Sequence, residues 1–155
     1  MNEVIVPELT IREKVNRLEG EIQKLPQVEI PLVHYFAPGL YLREMQMPKF
    51  AVLTGAVHKT EHICILSKGH VQVVTDEGVL DLVAPATIHS MPGAKRAIVA
   101  LEDSVWTNIH HNPDNIQDPD ILTEILTESK ASELLGGKEN KQILINQESS
   151  ITIGG

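Results

Sequence analysis

Aromatic residues are nearly absent from this chain. Trp106, Tyr35, Tyr41, Phe36 and Phe50 are the full set in 155 residues, so any core must be built from aliphatic side chains. There is a single cysteine, Cys64, which excludes an intrachain disulfide. It stands in "HICIL" between branched residues and reads as a small buried hydrophobe. Surplus positive charge is lacking as well. The formal net charge of −8 argues against unassisted binding to nucleic acid or to anionic membranes, both of which need clustered Lys and Arg. No stretch approaches the ~18 apolar residues of a membrane span. "MNEVIVPEL" has neither the basic start nor the long apolar run of a secretory signal. A cytoplasmic protein is the expectation.

What is present suits one soluble globular domain. The hydrophobic fraction is 42% and the charged fraction 22%, and the length is enough to bury a real core. Three regions differ in character: an N-terminal helical arm over 1–27, a strand-rich domain over 28–112, and a C-terminal helical extension and tail over 113–155. In the first, "TIREKVNRLEGEIQKL" carries a capping box at Thr10 and Glu13, and Pro26 ends the pattern. Ile11, Val15, Leu18, Ile22 and Leu25 form one stripe. That stripe suits either a short coiled coil between subunits or a helix lying on its own domain.

The middle region is a series of short strands: "VEIPLVHYF", "GLYLREMQM", "HICILSK", "HVQVVTDEG", "VLDLVAP", "ATIHSM", "RAIVALED" and "SVWTNIH". Pro-Gly, Lys-Gly, Glu-Gly and Asp-Ser turns separate them, a spacing that points to an all-β sandwich or barrel. No crossover helix lies between them, which excludes a parallel α/β sheet. In the last region Asp118 reads as an N-cap, Pro119 as the first helical residue and Gly136 as the stop. Ile121, Leu122, Ile125 and Leu126 supply an apolar face. The tail "KQILINQESSITIGG" suits either an edge strand or a frayed end.

Chemistry concentrates in "VHKTEHICILSKGHVQVV". Its HKTEH fits H-x-x-E-H, a zinc-peptidase pattern that needs both histidines on one helix. Gly55 just before it and the β-branched residues after it oppose a helix. On a β scaffold the segment resembles the first motif of the cupin superfamily, G-x5-H-x-H-x3-4-E-x6-G. Gly69 matches the closing glycine. Counted back from it, His62 falls at the family's metal-binding glutamate and His58 at its second histidine, while Ala56 replaces the first. "GVLDLVAPATIHSMPGAKRAIVAL" resembles the second motif, with Pro92-Gly93 as its turn and Arg96 or Lys95 at its histidine. The resemblance covers about residues 36 to 111, and the overall pattern is similar to small single-domain cupins of bacteriophage genomes.

The resemblance implies an antiparallel jelly-roll barrel flanked by the N-terminal helix and C-terminal helices. In such a barrel the strand starting at His62 runs antiparallel to "SVWTNIHHN", which brings His110 beside His62 and His58. Strand alternation sends Trp106, Asn108 and His110 to one face and His111 to the other. His58, His62 and His110 are therefore the candidate ligands of one divalent metal: Zn, Fe, Mn or Ni. Glu61 is the candidate catalytic group for proton transfer. Arg96 and Arg43 are candidates for holding an anionic ligand. His34, His70 and His89 read as structural or solvated.

Two functions stay open. One is a metal-dependent enzyme acting on a small polar or anionic molecule. The other is a non-catalytic scaffold or small-ligand-binding module without metal. Either is expected to be a homo-oligomer, most simply a dimer, because barrel edges are usually covered.

Overall fold

The computed structural model describes residues 8–75 and 78–128, together with the backbone of one further strand at 142–144. The elements in chain order are α1 (Ile11–Gln23), β1 (Leu32–Ala37), β2 (Gly39–Met47), β3 (Ala51–Thr54), β4 (His62–Lys68) and β5 (His70–Thr75). They continue with β6 (Gly78–Val83), β7 (Ala86–Ser90), β8 (Ala97–Ala100), β9 (Ser104–Asn112), α2 (Pro119–Leu126) and β10 (Gln142–Leu144). The strands form two five-stranded sheets in the orders β1-β2-β9-β4-β7 and β10-β3-β8-β5-β6. Every strand pairing among the described residues is antiparallel. The expected jelly-roll barrel is what the chain forms.

Alternation builds the core between the sheets. Met45, Met47, Cys64, Leu66 and Trp106 point inward from the first sheet, and Leu53, Val71, Val73 and Ile98 from the second. Nearly all of it is aliphatic or thioether, as the shortage of aromatics required.

Thr10 caps α1, its hydroxyl oxygen accepting from the Glu13 amide at 3.1 Å. The helix lies on the outer face of the second sheet. Ile22 packs on Val52 and Val99, and Val15 on Val74 and Ala97. Glu19 anchors it further, accepting from Thr54 Oγ1 at 2.6 Å and pairing with Lys95 Nζ at 3.1 Å. Of the two uses open to the apolar stripe, packing on its own domain is the one observed.

α2 closes one end of the barrel. Asp118 caps it through the Asp120 amide, and Leu122 and Leu126 pack on Tyr41. Two backbone hydrogen bonds fasten its end, Lys59 N to Leu126 O at 2.8 Å and Glu128 N to Val57 O at 2.9 Å. The helix ends at Leu126; Gly136, expected as its stop, lies outside the described residues. Of the two readings of the tail, residues Gln142–Leu144 take the strand, as β10 paired with β3.

Candidate functional site

Three histidines reach the same end of the barrel interior from three segments. His62 opens β4, His110 lies near the end of β9, and His58 sits in the loop before β4. The strand register explains the first two. Ile63 pairs with Ile109, so the next step of the antiparallel ladder sets His62 beside His110. His58 is placed by backbone bonds to the Pro92-Gly93 turn, its amide donating to Ala94 O and its carbonyl accepting from Gly93 N. An isolated bridge to Thr127 ties it to the end of α2.

The ring centroids are 4.4 Å apart for His58 and His62, 4.7 Å for His62 and His110, and 5.5 Å for His58 and His110. His62 and His110 are buried. Burial, more than any other cause, lowers the pKa of all three, to about 3 for His58 and for His110. The neighbouring imidazoles and the guanidiniums of Arg43 and Arg96 push His58 in the same direction. All three rings are therefore neutral near pH 7, the form that donates a lone pair to a metal.

Does the cluster fit a metal? His62 Nδ1–H donates to the Thr60 carbonyl at 3.1 Å, which fixes its tautomer and leaves Nε2 with a free lone pair. His110 Nδ1 is buried without a hydrogen-bond partner among the described residues. An orphaned buried nitrogen beside two other imidazoles is a group in want of a partner. Against this, the rings are tilted or stacked on one another, at 18° for His58 and His110. Among the described residues no set of three His, Cys, Asp or Glu side chains already stands in ligating geometry. The residues fit a divalent ion by chemistry and proximity.

The cavity that the histidines open onto is lined from one sheet by Arg43, Cys64 and Asn108, from the other by Leu53 and Ile98, and by Arg96 from the segment leading into β8. Arg43 pairs with Asn108, and Asn108 with Cys64, so these three stand in one cross-strand row. Ala56, at the position of the first cupin histidine, also faces the cavity, as does Arg96 at the histidine of the second motif. Lys95 instead pairs with Glu19.

Glu61 is not brought to the site. It is exposed, its carboxylate is bound to His89, and it does not line the cavity. Glu61 precedes His62 at the strand start, and adjacent residues of a strand face opposite sides. The expectation of a proton-transfer group beside the histidines is therefore corrected. The remaining histidines are placed as read: His34 on the Tyr41 hydroxyl, His70 on Asp81, and His111 exposed on the outer face. Strand alternation gives Asn108 its face and no role. Its signal was the Trp106 two positions before it, whose indole N–H donates to the Asn108 Oδ1 at 2.9 Å.

No protein-family model matches the chain, and no curated protein is similar to it by sequence. Solved structures do match. Oxalate decarboxylase from Lactobacillus farciminis, in complex with formate, aligns at 18% identity with a TM-score of 0.53, over 76% of this chain and 43% of that one. The present chain thus spans under half the length of that enzyme. A cupin superfamily protein from Desulfitobacterium hafniense aligns at 10% identity and a TM-score of 0.47, over 56% of this chain and 81% of its own. KdgF from Halomonas sp. aligns at 18% identity and a TM-score of 0.48, over 61% and 87%. The fold is the cupin-like jelly roll.

Proposed function

We propose that this chain, with its cupin-like jelly-roll barrel, binds one divalent metal through His58, His62 and His110 and acts there on a small polar or anionic molecule. The observation that carries the reading is the meeting of three neutral imidazoles inside the barrel, one with an orphaned nitrogen. A bound divalent ion would supply Lewis acidity or an oxygen-binding centre. The Thr60 carbonyl orients His62. Arg43 and Arg96 supply positive charge to hold an anionic group, and α2 limits the access of water at the barrel end. With Glu61 turned away, any proton transfer falls to a group lining the cavity. Tyr41 is unsuited as a base, because burial raises its pKa to about 12.

The second reading is a metal-free scaffold or ligand-binding module. It draws support from the stacked rings and the lack of a preformed ligand set among the described residues. Under either reading we assign a cytoplasmic homodimer, of the single-domain kind that bacteriophage genomes encode.

Metal analysis of protein purified without a chelator separates the two. One equivalent of a first-row divalent metal is expected, lost on His62→Ala and on His110→Ala while the far-ultraviolet circular dichroism is unchanged. Wild-type protein that takes up no metal on titration, or alanine variants that keep it, would overturn the metal centre and leave the scaffold.

A further inference from the structure

Two cations face one cavity without a counter-charge among the described residues. Arg43 comes from β2 of the first sheet, and Arg96 from the segment leading into β8 of the second. Neither forms a salt bridge among the described residues. Among the described residues the only side-chain hydrogen bond of each is to sulfur: Arg43 Nη1 to Met45 Sδ, and Arg96 Nη1 to Cys64 Sγ, both at 3.8 Å. A guanidinium offers five N–H donors in a rigid fork, and sulfur is a weak acceptor. Among the described residues no Asp or Glu lines the cavity. Cys64 does not supply the missing charge, because burial raises its thiol to about 11 despite the opposing pull of Arg96.

Unpaired charge held away from water is costly, and a site that retains it is built for an opposite charge. Arg43 registers that cost, since burial lowers its pKa. Arg43 is part-buried and lines the cavity.

Asn108 adds a third donor. An indole N–H can only donate, so the Trp106 bond holds the amide oxygen away and leaves the NH₂ group for the cavity. The cavity measures about 80 Å³, room for roughly six water-sized spheres at ~10–15 Å³ each. That is room for a short organic acid.

We infer that the ligand of this cavity is a small dicarboxylate, one carboxylate on Arg43 and the other on Arg96, with the Asn108 amide donating to one of them. The inference rests on the proposed reading of the cavity as a ligand site, and it does not require the metal. Arg43 comes from one sheet and Arg96 reaches over from the other to Cys64, so a ligand with a negative charge at each end can give each guanidinium its own partner. A monocarboxylate leaves one guanidinium unpaired, and a phosphate concentrates its charge at one centre.

The test is isothermal titration of the full chain, stripped of metal with neutral phenanthroline and dialysed, against propanoate, malonate, succinate and inorganic phosphate. At least one diacid is expected to bind about tenfold or more tighter than propanoate, since the second carboxylate adds a charge-assisted pair. Arg43→Gln or Arg96→Gln alone brings that diacid to the level of propanoate. Asn108→Asp preserves the shape and the acceptor for Trp106 while setting a carboxylate beside Arg43, so it guards against loss of fold; it too abolishes the preference. Equal affinity for mono- and diacids, phosphate as tight as the diacids, or no binding by any of the four overturns the inference. Metal uptake is read separately on the same protein. Diacid preference without metal uptake retires the metal centre alone, and metal uptake without diacid preference retires this inference alone.

Discussion

At Gly69 the backbone turns with φ +95°, and a Cβ there would meet Ser104 Oγ at 2.2 Å, the Asp103 carbonyl oxygen at 2.5 Å and Ser104 Cα at 2.7 Å. Two of those atoms belong to backbone, which cannot rotate away. The glycine that closes the first motif is thus demanded twice, by dihedral and by close approach. Gly69→Ala is expected to cost about 3 kcal/mol, a fall of roughly 10 °C in thermal midpoint; a midpoint unchanged to within a degree would count against the contact. The same residue made the candidate site legible, because counting back from it set His62 at a ligand position. His110 was legible through strand pairing, and Arg43 through its period-2 company with Tyr41 and Met45, which also face inward. Glu61 was misplaced because spacing alone does not reveal which side of the strand start a residue takes. Asn108 went unassigned for a different reason: an amide has no ligating signature, and its orientation depends on a tertiary contact with Trp106.

Among the elements, α1 carries the clearest periodicity, and the use of its stripe is graded along its length. Val15 and Ile22 are fully buried, Ile11 and Leu18 partly so, and Leu25 is 45% exposed beyond the helix end. Ile22→Ala is therefore expected to destabilise the protein by about 3 kcal/mol through lost burial and a residual cavity. Leu25→Ala should stay within about 0.5 kcal/mol. Chemical denaturation midpoints of the two variants check the contrast, and equal losses would mean that the helix does not pack as described. The strand beneath it is also the one that escaped the sequence reading. β3 is four residues with both faces covered, α1 on one side and the core on the other, so Ala51–Thr54 shows no alternation to read. Eight other strands were legible because turns bound them and, in most, alternation marks one face. α2 shows the converse error: its four apolar residues do not share one buried face, since Ile121 and Ile125 remain 47% and 48% exposed while Leu122 and Leu126 close the barrel.

For the whole molecule, the packing of α1 on its own sheet removes the coiled-coil route to a dimer, so the proposed assembly must use another surface. Strand edges remain. β6 is an outer strand of its sheet, and it exposes Val79 at 47%, Leu80 at 37% and Val83 at 63%. An edge strand presents unpaired backbone N–H and C=O groups, and proteins blunt such edges with Lys, Pro or a covering element. β6 has neither Lys nor Pro, and its one charge, Asp81, is bound to His70 on β5. Antiparallel pairing of β6 with its copy would extend the sheet across a two-fold axis and cover these apolar side chains in an isologous interface. Light scattering at tens of micromolar, where an interface of modest affinity persists, is expected to read twice the chain mass of 17.1 kDa. Val83→Lys puts a charge at the most exposed apolar position of the edge. It should yield a monomer with the thermal midpoint of the folded chain little changed, because that side chain contributes little within one copy. A wild-type protein that scatters as a monomer at this concentration rejects the dimer, and a Val83→Lys protein that stays dimeric rejects this edge as its seam.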